Sequence, residues 1–297
     1  MFVRLVAMAQ LPLAPEEAYY WMYAQEPSLS YFDHPPMVAW VIGLGTAIFG
    51  HTEFGVRFVG QALMLASAVP MFRFGAAWFG RAAGLGAAVL LLVLPMYYAT
   101  GFIATMDAPL LFFWMVCMVG VTSALKHDRA SGWYLAGAAL GGAMLSKYTG
   151  VFLAAGTVGA VLVHAPWRRH LRSVHPYLAV VLAGLIFAPV VYWNWANDWA
   201  SFRFQFIDRF GNAPLSLGSV LGFVGINLLA ITPVLLWRLF ADAPRLVRHR
   251  RFLQPRWVIA FAYSLPLLGV MAIKSLRHDI HLNWTLPALL SLLPAAS

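Results

Sequence analysis

Apolar residues run on without interruption along most of this chain, instead of alternating or recurring on one face. Apolar windows fall at roughly 54–72, 82–99, 108–125, 132–146, 149–165, 177–195, 216–237, 257–273 and 282–297. About 20 such residues at 1.5 Å each cross a hydrocarbon core of about 30 Å. The pattern predicts an all-α, polytopic transmembrane bundle, because a backbone in lipid must satisfy its hydrogen bonds within its own segment. A membrane barrel would need short alternating segments. The pair 132–146 and 149–165 is short and broken at Ser146-Lys147-Tyr148, which predicts helices that tilt or stop short of a full crossing. MVAWVIGLGTAIF, residues 37–49, has 13 residues, too few to span, and predicts an interfacial helix. With no 20–50-residue repeat or polar linker, residues 1–297 read as a single transmembrane unit.

Composition agrees: 61% of residues are hydrophobic and 10% charged, against about 25% charged in a soluble domain. Mean hydropathy is +0.73. The net charge of +9 could suggest nucleic acid, but its distribution argues otherwise. The loops 73–81, 126–131, 166–176 and 238–256 hold 13 of the 20 Lys and Arg residues and only two acids, Asp128 and Asp242. That asymmetry predicts a cytoplasmic face, and basic runs such as RLVRHRRFLQPR (Arg245 to Arg256) then face anionic membrane lipids and not nucleic acid. The single cysteine, Cys117, sits in an apolar run and reads as a small core hydrophobe. Residues Met1 to Leu13 lack the pattern of a cleavable signal peptide.

The other nine acids fall on the opposite face, Glu53 and eight in stretches mixed with aromatics: Glu16–Pro36, Tyr97–Asp107, Asn194–Asn212 and Lys274–Trp284. Each has a plain structural reading. Asp107 in ATMDAPLLFFW suits a helix N-cap, with Pro109 in the first turn. Glu16 and Glu17 suit the start of an interfacial helix whose Tyr19, Tyr20 and Trp21 form an aromatic belt. YFDHPP suits a Pro-stiffened turn. Lys147 fits less easily, since a lysine between two apolar helices must snorkel, pair or face water, and so suggests function.

EEAYYW, YFDHPP, TMDAPLLFF, LSKYTG and HLNWTLPALL, in that order, resemble the bacterial branch of the dolichyl-phosphate-mannose–protein mannosyltransferase superfamily. Its relatives include aminoarabinose transferases of lipid A and rhizobial lipopolysaccharide galacturonosyltransferases. The resemblance runs from about Leu11 to Leu293. It implies a GT-C fold in the bacterial inner membrane, with an active site in periplasmic loops. It also implies a polyprenyl-phosphate-linked sugar donor and a lipid, glycan or protein hydroxyl acceptor. The family has Asp-Glu before the aromatic pair, the Asp being the proposed base; Glu16 falls at that Asp, one methylene longer, and Glu17 at the Glu. Asp107 matches the second acidic position. His34 stands where relatives carry a Lys, a phosphate contact, and Lys147, His281, Asn283 and Trp284 match further family positions. Members usually begin with a full spanning helix and continue well past the HxNW motif, so the resemblance implies that this chain is truncated or a fragment.

Sugar transfer from a lipid phosphate needs a base for the acceptor hydroxyl and positive charge for the departing phosphate. Glu16 or Asp107 is the expected base, with Glu17 a third acid. His34, Lys147, Lys274, Arg277, Arg203 and His281 are the expected phosphate contacts. Tyr19, Tyr20, Tyr31, Asp33, Asn283 and Trp284 are expected to line the substrate. The acids leave open a divalent cation, Mg²⁺ or Mn²⁺, bridging Glu16 and Asp107. A transporter or flippase of lipid-linked sugars would instead place charges or broken helices near the midplane. Here the carboxylates gather at one boundary, which favours an interfacial enzyme, and only Lys147 leans the other way. An inert membrane scaffold leaves the one-sided acids unexplained.

Overall fold

Helices make up every regular element among the described residues, which are 2–211, 213–231, 241, 248 and 251–296 of this computed structural model. Two short helices, α1 (Phe2–Gln10) and α2 (Pro15–Gln25), lead into α3 (Met37–Phe49), which forms over the bounds the apolar run predicts. Then follow α4 (Glu53–Ala66), α5 (Ala68–Phe79), α6 (Arg81–Val93), α7 (Pro95–Phe102), α8 (Asp107–His127) and α9 (Ala130–Ser146). A 3-10 turn at Tyr148–Val151 opens α10 (Phe152–Val163), and a basic 3-10 segment, Ala165–Arg172, opens α11 (His175–Ala196). The chain continues through α12 (Ala200–Phe206), α13 (Leu217–Ile231) and α14 (Pro255–Ser275) to short helical pieces ending at Ala296.

Four helical stretches are long and apolar enough to cross a membrane: Glu53–Phe79, Asp107–His127, His175–Ala196 and Pro255–Ser275. Two more pairs qualify as broken spans, with bends of 59° between α6 and α7 and 113° between α10 and the basic 3-10 segment. Several predicted limits change. The span expected at 54–72 runs on to Phe79, because Ser67 bonds back to the Leu63 carbonyl (2.8 Å) and continues the helical path. Arg73, expected in a loop, is therefore helical, and the turn waits for Gly80, whose φ of +104° suits glycine. The span expected at 82–99 breaks at Leu94-Pro95, since proline removes a donor and opens a new helix at its first position. The last run, expected as one span over 282–297, is divided into short pieces by Pro287 and Pro294 and is buried against α5, α6 and α14. Positions 232–237 of a predicted span, together with Asn212, Arg238, Asp242, Arg245 and Arg250, lie outside the described residues.

The most enclosed of these stretches is α8, with 72% of its apolar window buried against 22% for α11, which turns Leu185, Tyr192 and Trp195 outward. Close approach of α9 to both neighbours requires glycine. A Cβ on Gly132 would stand 2.5 Å from the Gly120 carbonyl oxygen of α8, and one on Gly137 would stand 2.3 Å from the Ala179 oxygen of α11.

Contacts between helix ends and loops mark the two ends of the bundle. At one end Lys126 reaches the Ala77 carbonyl, and Arg169 pairs with Asp128 at 3.2 Å. At the other end Glu17 meets Arg57 and the Ala104 amide, Lys147 meets Asp107, and Asn283 reaches Asp107. The expected segregation of basic and acidic loops therefore holds in the fold wherever these contacts reach.

Candidate active site

Asp107 is the first residue of α8, with Met106 preceding it as the cap residue. The sequence suggested an N-cap, but its carboxylate turns away from the helix amides. Oδ1 accepts from Lys147 Nζ at 2.8 Å, and Oδ2 accepts from Asn283 Nδ2 at 2.8 Å. Thr105 Oγ1 adds a weak third donor at 3.4 Å. Asp107 is 3% exposed and Lys147 9% exposed. Lys147 neither snorkels nor faces water: it occupies an extended position between α9 and the 3-10 turn, and its ammonium meets Asp107 at the start of α8. Three distant segments, 107, 147 and 283, thus close on one carboxylate.

A second layer surrounds this cluster. His34 is 9% exposed, and its imidazole feels the charges of Asp33, Lys147, Arg209 and Asp107. Burial pulls its pKa from 6.5 to about 4, with the nearby cations adding to the effect and the acids opposing it. The expectation that His34 brings positive charge is corrected accordingly: at pH 7 it is neutral and can reach a phosphate only by hydrogen bonding. Tyr20 packs its ring 5.8 Å from that of His34, lies within electrostatic reach of Asp33, Asp107 and Arg209, and has its pKa raised, chiefly by burial. Asp33 accepts from the Tyr23 hydroxyl, and its backbone carbonyl accepts from Gln205 on α12. Arg209 bonds Gln205 at 3.2 Å and lies 4.7 Å over the Trp284 ring.

Other expected residues fall outside this cluster. Glu17, expected among the catalytic acids, is 1% exposed and fully engaged: Arg57 binds it through Nε (2.8 Å) and Nη2 (2.6 Å), and the Ala104 and Ala14 amides complete its contacts, each at 2.9 Å. Burial alone would raise its pKa, but those donors prevail and hold it below the ordinary carboxylate value. Tyr31, expected on the substrate, donates to the Tyr23 and Glu26 carbonyls and stacks on Tyr23 at 3.9 Å, so it fixes the loop. Tyr19 bonds Tyr23. Arg277 is exposed and bonds the Ala213 carbonyl, Arg203 is exposed, and His281 is exposed beside Trp284. Lys274 is half-buried within electrostatic reach of Arg209. Glu16 is exposed, one turn before the buried Tyr20 on α2, and has no hydrogen-bond or ion-pair partner among the described residues.

The suggested cation bridge between Glu16 and Asp107 does not match this arrangement: the Asp107 oxygens meet an ammonium and an amide. Among the described residues no three His, Cys, Asp or Glu side chains are grouped to hold a metal ion. Sequence reasoning missed Arg57, Arg209, Tyr23 and Gln205. A signal existed for Arg57, a lone charge inside an apolar window, which in a membrane protein calls for a partner.

The burial of His34 carries a prediction. The unfolded chain takes up a proton near pH 6.5 that the folded chain refuses until about pH 4, so stability falls as pH drops through that window. The loss is up to roughly 3 kcal/mol, at 1.36 kcal/mol per unit. His34→Asn should flatten the dependence of melting temperature on pH between 6.5 and 4.5.

Comparison with known proteins places this chain in a family. A lipid A galacturonosyltransferase, RgtD, of Rhizobium johnstonii is 24% identical over 92% of this chain and 57% of its own length. An undecaprenyl phosphate-alpha-4-amino-4-deoxy-L-arabinose arabinosyl transferase of Pseudomonas paraeruginosa is 30% identical over 92% of this chain and 50% of its own. The chain thus spans about half the length of the curated relatives it matches. The crystal structures of ArnT from Cupriavidus metallidurans, apo and bound to undecaprenyl phosphate, superpose with TM-scores of 0.78 and 0.75 at 21% and 20% identity. Each superposition covers 99% of this chain and 57% of the other, and shows a shared fold. Residues 33–193, more than half of the chain, match the family described as dolichyl-phosphate-mannose-protein mannosyltransferase, and the chain is a membrane protein belonging to that family.

Proposed function

We propose that this chain carries the transfer site of a glycosyltransferase in the bacterial inner membrane. It moves a sugar from a polyprenyl phosphate to a hydroxyl on a lipid, glycan or protein at the periplasmic face. The observation that carries the reading is the convergence of Asp107, Lys147 and Asn283, with His34 and Arg209 around them, at the end of the bundle opposite Lys126 and Arg169. The relatives named above, a lipid A galacturonosyltransferase and an undecaprenyl-phosphate-dependent arabinosyl transferase, suggest the donor and acceptor classes.

In this reading the donor's chain stays in lipid while its phosphate meets Lys147, Arg209 and Lys274, with His34 contributing a neutral hydrogen bond. The acceptor oxygen attacks the anomeric carbon, the bond from that carbon to the phosphate oxygen breaks, and the phosphate leaves with the electron pair. Cations held in place before the reaction stabilise that charge without reorganising. The hydroxyl proton passes to a carboxylate. Asp107 is positioned by two donors within the cluster, whereas Glu16 is exposed and unpaired among the described residues. Residues 1–297 act as one unit, since the site draws on α2, α8, the α9–α10 break and the segment after α14. Lys147, the residue that favoured a transporter, is paired at a helix end and not at mid-helix, which supports the enzyme.

The test is transfer of a radiolabelled sugar from a polyprenyl phosphate by the detergent-solubilised protein. Lipid translocation by vesicles without transfer would overturn the reading. Glu16→Gln separates the candidate bases. A loss of about 10²-fold or more in kcat assigns the proton to Glu16, while near-wild-type turnover leaves Asp107 as the base.

A further inference from the structure

The opposite end of the bundle holds a groove that sugar transfer does not use. The ends of α5 and α8, the basic 3-10 segment Ala165–Arg172 and the start of α14 border an open groove of about 510 Å³. Trp78 and Trp167 form one wall, with ring centroids 5.8 Å apart in an edge-to-face arrangement, and Leu125 and Pro255 add apolar surface. The indole of Trp78 is fixed by its hydrogen bond to Thr122 Oγ1 at 2.9 Å. Two cations face this space. Lys126 lies 5.0 Å over the Trp78 ring while bonded to the Ala77 carbonyl. Arg256 is half-buried, and its Nε–H, shielded from water, has no hydrogen-bond partner among the described residues. No carboxylate lines the groove among the described residues, and Asp128 at this end is already paired with Arg169.

A guanidinium N–H shielded from water, with no acceptor among the described residues, suits an acceptor from outside the fold. A second cation nearby asks that this acceptor be anionic. Paired tryptophans with apolar neighbours suit the depth at which lipid headgroups join their chains. A phosphate diester meets all three demands: it carries one negative charge, offers oxygens to the planar guanidinium, and is attached to apolar chains. Free phosphate would satisfy the cations alone.

We propose that this groove binds the headgroup of one anionic phospholipid from the leaflet at the basic end. Arg256 and Lys126 hold its phosphate, and Trp78 and Trp167 flank its glycerol region. The bound lipid ties the ends of α5, α8 and α14 together.

The experiment uses the whole protein. Native mass spectrometry from mild detergent should show one phosphatidylglycerol retained by the wild type, with phosphatidylcholine not substituting. Phosphatidylglycerol should also raise the melting temperature, and the effect should weaken with salt. Lys126→Gln together with Arg256→Gln should weaken retention by at least about tenfold, since each basic residue near an anionic surface contributes severalfold, and should leave sugar transfer in detergent unchanged. Lys126→Gln alone, at an exposed side chain, keeps the test open if the double variant fails to fold. Equal retention by wild type and variant would overturn the proposal, as would equal stabilisation by phosphatidylcholine. Stabilisation by inorganic phosphate as large as by lipid would reassign the groove to a free anion and overturn it too.

Discussion

Asp107→Asn is expected to lower sugar transfer by about 10²–10⁴-fold, the range for losing a positioned base, with the protein still folded. The substitution preserves shape and can keep the contact to Asn283, but it removes the charge. That matters twice, because the same carboxylate is the counter-ion of Lys147, whose ammonium is buried beside it at 2.8 Å. A stability cost therefore accompanies the loss of activity, and the two must be separated. Asp107→Asn combined with Lys147→Met removes both charges, and a neutral pair is far easier to bury than a lone ion. The double variant should recover melting temperature while transfer stays lost. Lys147→Met alone should raise KM for the polyprenyl-phosphate donor more than it lowers kcat, if its second partner is the phosphate. Recovery of turnover in the double variant would reduce the pair to a structural strut, and near-wild-type turnover in Asp107→Asn would remove Asp107 from the chemistry altogether.

Much of this cluster is legible in the amino-acid sequence. Continuous apolar runs predict helices because a lipid-facing backbone has no other solution, and α8, α9, α11 and α14 appear close to their predicted limits. Asp107, Lys147 and Asn283 each sit in a short polar motif between apolar segments, so their prominence did not depend on knowing their partners. What stayed hidden was pairing. Glu16 and Glu17 are adjacent and identical, yet on a helix they point about 100° apart, so one turns into the fold and the other to water. No one-dimensional pattern says which, because that depends on where α4 lies. Arg57 looks like a break in an apolar run until α2 is placed beside it. Proline effects were similarly local in cause and tertiary in outcome. Pro95 breaks a predicted span, whereas Pro70 falls near the start of α5 and leaves a continuous path to Phe79.

The largest stability effect is expected at that pair. Arg57 makes five hydrogen bonds: two to the Glu17 carboxylate, and others to the Met8, Leu11 and Pro12 carbonyls at 3.1, 2.7 and 2.9 Å. With side-chain exposures of 2% and 1%, neither partner can turn to water if the other is lost. Arg57→Met or Glu17→Gln should each cost about 3–5 kcal/mol, the range for stranding one member of a buried pair. Arg57→Lys should recover little, because a point charge cannot replace a planar fork that meets a carboxylate and three carbonyls at once. Thermal unfolding in detergent measures this, and joining Glu17→Gln to Arg57→Met should lose less than the sum of the two singles. The pair should also leave a pH signature distinct from that of His34. The Glu17 pKa is held below its ordinary value of 4.5, so its contribution is complete above pH 4.5 and disappears only as pH falls below it. Glu17 also receives the Ala104 amide, three residues before Asp107, so loosening the pair should shift the entry to α8 and reduce transfer at temperatures where the protein remains folded. Full activity in Glu17→Gln at unchanged melting temperature would show that neither the stability nor the placement of Asp107 depends on it.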